Sequence, residues 1–103
     1  MCKVINIRDR KSGDVYIGRK GHGEDGYFGN PHPIGWCSIC KVHHDRAGCI
    51  AAFKRMFWKR IHEDAEYLRR VRELKDKRLV CFCKPEACHG DVIVDWFAAG
   101  CPL

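Results

Sequence analysis

The sequence predicts a small α/β domain in which helices cover a short, mixed three-stranded sheet, with an added zinc-binding loop. Three observations support this fold class. β-rich segments open the chain and recur near its end, helical patterns occupy the middle and the C-terminus, and two clusters of cysteine and histidine lie between them. At 103 residues, the chain is expected to form one domain, residues 1–103, because typical domains contain about 100–150 residues.

Two short strands are expected at the start of the chain, over residues 2–7 and 15–18. Between them, Ser12-Gly13-Asp14 is a typical turn sequence. We therefore expect the two strands to pair as a hairpin. Arg19 lies where the second strand ends.

A long loop follows over residues 20–35, which is rich in glycine and contains two prolines. Long loops in compact domains are often functional. Within this loop, Gly29 allows close approach of the backbone to a ligand. Asn30 offers both a donor and an acceptor. A structural turn capped by Asn30 explains the same residues equally well.

Two helices are predicted between residues 46 and 75. In the first helix, apolar residues recur every three or four positions and form one face: Ile50, Phe53, Phe57 and Ile61. The opposite face is a candidate nucleic-acid surface, and it consists of Lys54, Arg55, Lys59 and His62, with Trp58 at its edge. A merely solvated helix face is the alternative. Asp64 is expected to cap the second helix.

The third strand is predicted over residues 78–83 and the last helix over residues 90–99. Gly100 is expected to end that helix, and Pro102 prevents its continuation. The predicted order of elements is therefore β-β-loop-α-α-β-α.

The first cysteine cluster spans residues 37–49 and is a candidate metal site. Two thiols separated by two residues can close a turn around a tetrahedral ion, and an imidazole completes a soft ligand set that suits zinc. The predicted zinc ligands are Cys37, Cys40, His44 and Cys49, with His43 as a possible substitute for His44. Their spacing resembles that of the zinc knuckle of retroviral nucleocapsid proteins, from which it departs by one residue.

The second cluster lies between the third strand and the last helix. Cys81 is expected to be a buried strand residue, whereas Cys83 at the strand end can reach a ligand. Cys88 and His89 are adjacent, which makes it awkward for them to share one ion. Cys83 and Cys88 could instead complete a site begun by Cys37 and Cys40, or they could remain free thiols at a helix N-terminus. Asp91 is expected to cap the helix, with ribose binding as the alternative.

Composition and charge narrow the choice of partners. The net charge of +6 favours an anionic partner such as nucleic acid or a nucleotide. We expect no signal peptide and no membrane span. The eight cysteines are therefore expected to bind metal or carry out thiol chemistry in a reducing cytoplasm rather than form disulfides. The sequence does not indicate an oligomeric state.

Three motifs together resemble a known family. They are Ile17-Gly18-Arg19 at a strand end, the loop Gly29-Asn30-Pro31, and the run CFCKPEACHGD over residues 81–91. The chain resembles a family of small phage and bacterial proteins described only as a domain of unknown function. The resemblance implies a shared ligand site and no particular chemistry. The candidate residues of that site are Arg19, Asn30, Cys83, His89 and Asp91. Gly29 is a further ligand-binding candidate. Because many members lack cysteines near residues 37–40, the resemblance implies that a metal there belongs to a subgroup.

These observations lead to three functional hypotheses. The first is a zinc-containing binding module for nucleic acid or a nucleotide. The second is a structural zinc domain that mediates protein interactions. The third is an enzyme acting on a nucleotide, with Cys83 or Cys88 as nucleophile and His89 as acid and base.

Overall fold

The computed structural model describes residues 2–21, 23–84 and 86–103. Within these residues, five strands and three α-helices follow one another as β1 (Lys3–Asn6), β2 (Val15–Tyr16), β3 (Gly35–Cys37), β4 (Val42–His44), α1 (Arg46–Glu63), α2 (Ala65–Arg72), β5 (Arg78–Cys81) and α3 (Gly90–Ala98). The predicted α/β class, with a three-stranded sheet covered by helices, is confirmed.

The three-stranded sheet has the order β1-β5-β2. Val4 of β1 and Val15 of β2 both lie opposite Leu79 of β5, and both pairings are parallel. The hairpin predicted between the first two strands is therefore wrong, and the sheet is parallel throughout rather than mixed.

The apolar character of β5 explains this arrangement. Leu79, Val80 and Cys81 are all buried, and a continuous apolar run is typical of a central parallel strand. Such a strand needs a partner on both sides, which β1 and β2 provide. Since parallel strands end at the same edge of a sheet, the residues that follow β2 and β5 meet there.

The helices form as their apolar patterns predict. Phe53 and Phe57 of α1 are fully buried, and Asp45 caps α1 by accepting from the Gly48 N–H at 2.7 Å. Asp64 caps α2 by accepting from the Tyr67 N–H at 3.1 Å, as predicted. None of the helices in the described part of the chain combines the length and apolar character that crossing a bilayer requires.

A second, two-stranded sheet was not predicted. It is an antiparallel hairpin of β3 and β4, in which Trp36 lies opposite His43. Its turn closes through a hydrogen bond from the Lys41 N–H to the Cys37 carbonyl at 2.8 Å. Strands of three residues carry too little pattern to be recognised. This hairpin carries the first cysteine cluster.

Candidate metal centre and binding cavity

The first cluster forms around the β3–β4 hairpin. Ligand atoms of His32, Cys37, Cys40 and His44 all lie within 4.8 Å of one another. The hairpin supplies Cys37, Cys40 and His44, and the preceding loop supplies His32. The His32 Nδ1 atom is 3.3 Å from the Cys37 sulfur and 3.4 Å from the Cys40 sulfur.

The chemistry of this group fits a metal ion. Burial lowers the pKa of His32 and keeps its imidazole neutral, the form that binds metals. Although burial raises the pKa of Cys37, the N–H groups of Cys40 and Ile39 outweigh it and lower that pKa overall. The buried Nε2 atom of His44 has no hydrogen-bond partner among the described residues. Two thiols and two imidazoles could therefore hold a metal ion, with His44 as a ready ligand.

The structure differs from the predicted ligand set at one position, because Cys49 does not join the group. Cys49 lies in the first turn of α1, where its thiol donates to the His32 carbonyl at 2.9 Å. His32 occupies the fourth position instead. Its place between two prolines, five residues before Cys37, was the available signal. His43 also lies outside the group, with its ring against Trp36.

A cavity of about 330 Å³ lies at the carboxyl ends of β2 and β5. Three cationic side chains line it, from Arg19, Lys20 and Arg46. No carboxylate belongs to its described lining. Arg46 reaches from the start of α1 to the Ala87 carbonyl at 3.1 Å, which places α1 against the second cysteine cluster. The cavity is thus suited to an anionic ligand.

Four predicted ligand-binding residues line this one cavity: Arg19, Asn30, Cys83 and His89. Asn30, however, uses its side chain internally. Its Nδ2 donates to the Cys49 carbonyl at 3.2 Å, and its Oδ1 accepts from the His32 N–H at 2.9 Å. Asn30 therefore ties the loop to α1 and to the candidate metal centre, and it shapes the cavity wall.

Asp91 and Gly29 lie outside the cavity lining. Asp91 accepts from the Cys88 N–H at 3.0 Å and pairs with Lys84 at 2.6 Å. Asp91 therefore ties the turn before α3 to Lys84, and no described side chain caps the first residue of α3, so the predicted capping role is not what the structure shows. Gly29 instead packs against the backbone that follows β2. A Cβ atom there would lie 2.8 Å from the Gly18 carbonyl oxygen and 3.2 Å from the Arg19 Cα.

Replacing Gly29 by alanine is therefore expected to lower the free energy of unfolding by about 1–3 kcal/mol, as over-packing typically does. The added methyl group presses on backbone atoms, which yield less readily than the tip of a side chain. Urea denaturation followed by circular dichroism measures the change. An unaltered unfolding midpoint would show that the loop moves aside without cost.

The second cluster forms part of the cavity floor. The sulfur atoms of Cys81 and Cys88 are 2.6 Å apart, and the Cys88 sulfur is 3.5 Å from the His89 Nδ1. The hydrogen bond between the two sulfurs lowers the pKa of Cys81 to about 5 and raises the pKa of Cys88. Cys81, expected to be an ordinary strand residue, belongs to this group.

Cys83 lies beside this pair, half-buried in the cavity wall, and its backbone N–H donates to the Cys81 sulfur at 3.4 Å. Burial and the neighbouring Cys81 thiolate raise the pKa of Cys83. Among the three predicted catalytic candidates, Cys88 and His89 are the pair in mutual contact, with the Cys88 sulfur 3.5 Å from the His89 Nδ1.

The basic face of α1 has the predicted exposure. Lys54, Arg55 and Lys59 are exposed, and none of them forms an ion pair with any described residue. Trp58 is half-buried and stacks on His62 with ring centroids 6.2 Å apart. On α2, by contrast, Arg69 and Arg70 pair with Glu66 and Glu73, whereas Arg72 is exposed without an ion-pair partner among the described residues. The basic face of α1 thus keeps its positive charge free of carboxylate partners within the described residues.

Fold and site together define a small α/β domain with a parallel sheet, a Cys/His group that could hold a metal ion, and a cation-lined cavity. The chain belongs to the family described as "Domain of unknown function (DUF4326)", whose model matches residues 4–99. The chain is also similar to the "Uncharacterized 12.4 kDa protein in nrdA-td intergenic region" of Enterobacteria phage T4. The two are 31% identical over 93 residues, which is 90% of this chain and 74% of the phage protein. No solved structure matches the chain.

Proposed function

We propose that this protein is a zinc-containing module that binds a nucleotide, either free or as part of a single strand. The observation that carries this proposal is the cavity lined by Arg19, Lys20 and Arg46 without a carboxylate in its described lining. Phosphate groups are recognised by such charge-assisted hydrogen bonds. The carboxyl ends of parallel strands are also where open α/β sheets bind their ligands.

Shape and apolar surface support the same ligand class. A volume of about 330 Å³ lies within the range of small-molecule sites. Phe82 lines the cavity with 56% of its surface exposed, next to Tyr16 at a ring distance of 6.1 Å. Exposed aromatic rings stack on nucleobases. The cavity thus combines cations for a phosphate with an aromatic surface for a base.

Zinc is the metal that we assign to the group of His32, Cys37, Cys40 and His44. Two sulfurs and two imidazole nitrogens form the tetrahedral ligand set typical of structural zinc. With four protein ligands the site is closed, so the metal stabilises the hairpin and the loop that forms the cavity wall. It takes no direct part in binding.

Titration with ribonucleoside 5′-monophosphates, one at a time, tests the proposal. Replacing Arg19 by alanine is expected to weaken binding about 10–100-fold, because a hydrogen bond to a charged group contributes roughly 1.5–3 kcal/mol. Arg72, exposed on α2 and outside the cavity, provides the matched control. Isothermal titration calorimetry measures the dissociation constant of the Arg19 variant and of the Arg72 control. Equal affinity for a nucleoside and its monophosphate would contradict the proposed phosphate site.

A second candidate, binding of single-stranded nucleic acid, is favoured by the unpaired cations on α1. Arg46 and Ile50 line the cavity, and Lys54 and Trp58 continue the same row at intervals of four residues. Residues four apart lie on one helix face. Lys54 thus lies one helical turn beyond Ile50, where the apolar and basic faces of α1 meet, and a strand with one nucleotide in the cavity would pass over it.

A third candidate is an enzyme that acts on the bound nucleotide. It is favoured by the contact between Cys88 and His89 in the cavity floor. A thiol with an imidazole in reach is the minimal arrangement for a nucleophile and its base. Alkylation of Cys88 by iodoacetamide that is blocked by a bound nucleotide would favour this candidate over a binding module.

A further inference from the structure

We infer that Cys81, Cys88 and His89 form a second metal site, distinct from the hairpin site, with its fourth coordination position open to the cavity. Their ligand atoms lie within 4.8 Å of one another, and all three residues are buried. The ligand class is that of zinc or another soft divalent ion. This inference goes beyond the proposed nucleotide binding and does not depend on it.

The histidine is arranged as a metal ligand. Its Nε2 lies 2.7 Å from the Ile17 carbonyl oxygen, which can only accept a hydrogen bond, so Nε2 carries the proton. Its Nδ1 is then a free acceptor, and this atom faces the Cys88 sulfur. Histidines that bind metals almost always donate their other N–H to a carbonyl or carboxylate in this way.

The two thiols complete the ligand set from different elements. Cys81 ends β5, and Cys88 precedes α3 by two residues. In a tetrahedral site with Zn–S bonds of about 2.3 Å, two sulfurs lie about 3.8 Å apart. The present separation of 2.6 Å must therefore increase by roughly 1 Å when a metal enters. The adjacent Cys88 and His89 share a site because the turn before α3 directs both side chains to the same point.

The fourth position distinguishes this site from the hairpin site. All three residues line the cavity, and Cys83 stands outside the group of three. A metal with three protein ligands keeps a position for water or substrate, which is the pattern of catalytic rather than structural zinc. A ligand in the cavity would meet that position directly.

Metal content of the intact chain is the first test. The protein is produced in medium containing Co²⁺ in place of zinc and purified under reducing conditions. Elemental analysis is expected to give two cobalt ions per chain. Cys88→Ser and His89→Gln are expected to retain one ion each, because each leaves the hairpin site intact. Cys101→Ser removes a thiol outside both groups and should retain two.

The open position is tested with azide as the probe. Azide is expected to shift the visible bands of cobalt in the wild type and in Cys83→Ser, and to leave the spectrum of Cys88→Ser unchanged. If Cys88→Ser is insoluble, His89→Gln takes its place in this test. Its amide keeps a side-chain donor near the Ile17 carbonyl, so we expect this variant to fold.

Two results would overturn the inference. One cobalt per wild-type chain, or recovery of Cys81 and Cys88 as a disulfide under the same reducing conditions, would exclude the second metal site. Two ions with no response to azide, together with loss of one ion in Cys83→Ser, would show a closed site in which Cys83 is the fourth ligand. Either result leaves nucleotide binding at Arg19 to be judged by its own titration.

Discussion

Replacing Cys37 and Cys40 by serine is expected to remove one equivalent of zinc and most of the stability of the protein. Structural zinc contributes on the order of 10 kcal/mol in small peptides at neutral pH. Domains of this size are stable by only about 5–15 kcal/mol. A serine hydroxyl does not replace a thiolate as a zinc ligand. Elemental analysis and thermal unfolding by circular dichroism should therefore show loss of metal and a large fall in Tm together.

Single substitutions sharpen this prediction. His32→Ala is expected to lose the same zinc, because the His32 ring nitrogen lies beside both sulfurs. Cys49→Ser should retain it, because the Cys49 thiol donates to the His32 carbonyl instead. Cys101→Ser serves as the control, because Cys101 belongs to neither cysteine cluster. Retention of zinc by His32→Ala and its loss from Cys49→Ser would restore the ligand set that spacing alone predicts.

The helices were predictable because their signals are local. The apolar face of α1 repeats within a few residues, and the buried Phe53 and Phe57 follow from that period. Caps are local too, since Asp64 needs only the amide three residues later. Strand pairing is different, because partners are chosen across the whole chain. The apolar run of β5 indicated a central strand, but the turn between β1 and β2 favoured a hairpin that the structure does not form.

The same contrast applies to the metal centre. The turn that holds Cys37 and Cys40 is closed by neighbouring residues, so its spacing was informative. His32 reaches the site from a loop whose path is fixed by Asn30 and by α1. The separation of five residues between His32 and Cys37 does not by itself specify that path. Cys49 was a reasonable choice along the chain, yet α1 begins at Arg46 and directs its thiol to a backbone carbonyl instead.

The cavity was predictable in outline. Arg19 and Cys83 each follow a strand, and the carboxyl ends of parallel strands share one edge, so their convergence follows once the sheet is parallel. Lys20 and Arg46 carried no comparable signal. Arg46 is a helix residue whose role depends on the loop that it contacts at Ala87. Cys81 was expected to be a packing residue, and only its contact with Cys88 reveals more.

Changing Lys54, Arg55 and Lys59 together to glutamate is expected to abolish binding to single-stranded oligonucleotides while leaving the fold intact. All three side chains are exposed and none forms an ion pair within the described residues. Binding to single strands loses affinity with salt at a slope of about −0.7 per phosphate contact. If each of the three side chains contacts one phosphate, this face should contribute about −2 to the wild-type slope of log affinity against log salt concentration.

Fluorescence titration at low and moderate salt measures this binding, with Trp36→Phe as the background that removes the exposed tryptophan of the hairpin. The matched control changes three exposed cations to glutamate at the end of α2 and just after it: Arg72, Lys75 and Lys77. Because the two triple variants carry the same net charge, a loss confined to the α1 variant assigns binding to this face.

Since Trp58 is half-buried and stacks on His62, the phosphate contacts should dominate over base stacking. Equal loss in both variants would mean that net charge alone attracts the strand, and no affinity in the wild type at low salt would leave the α1 charges as a solvated face.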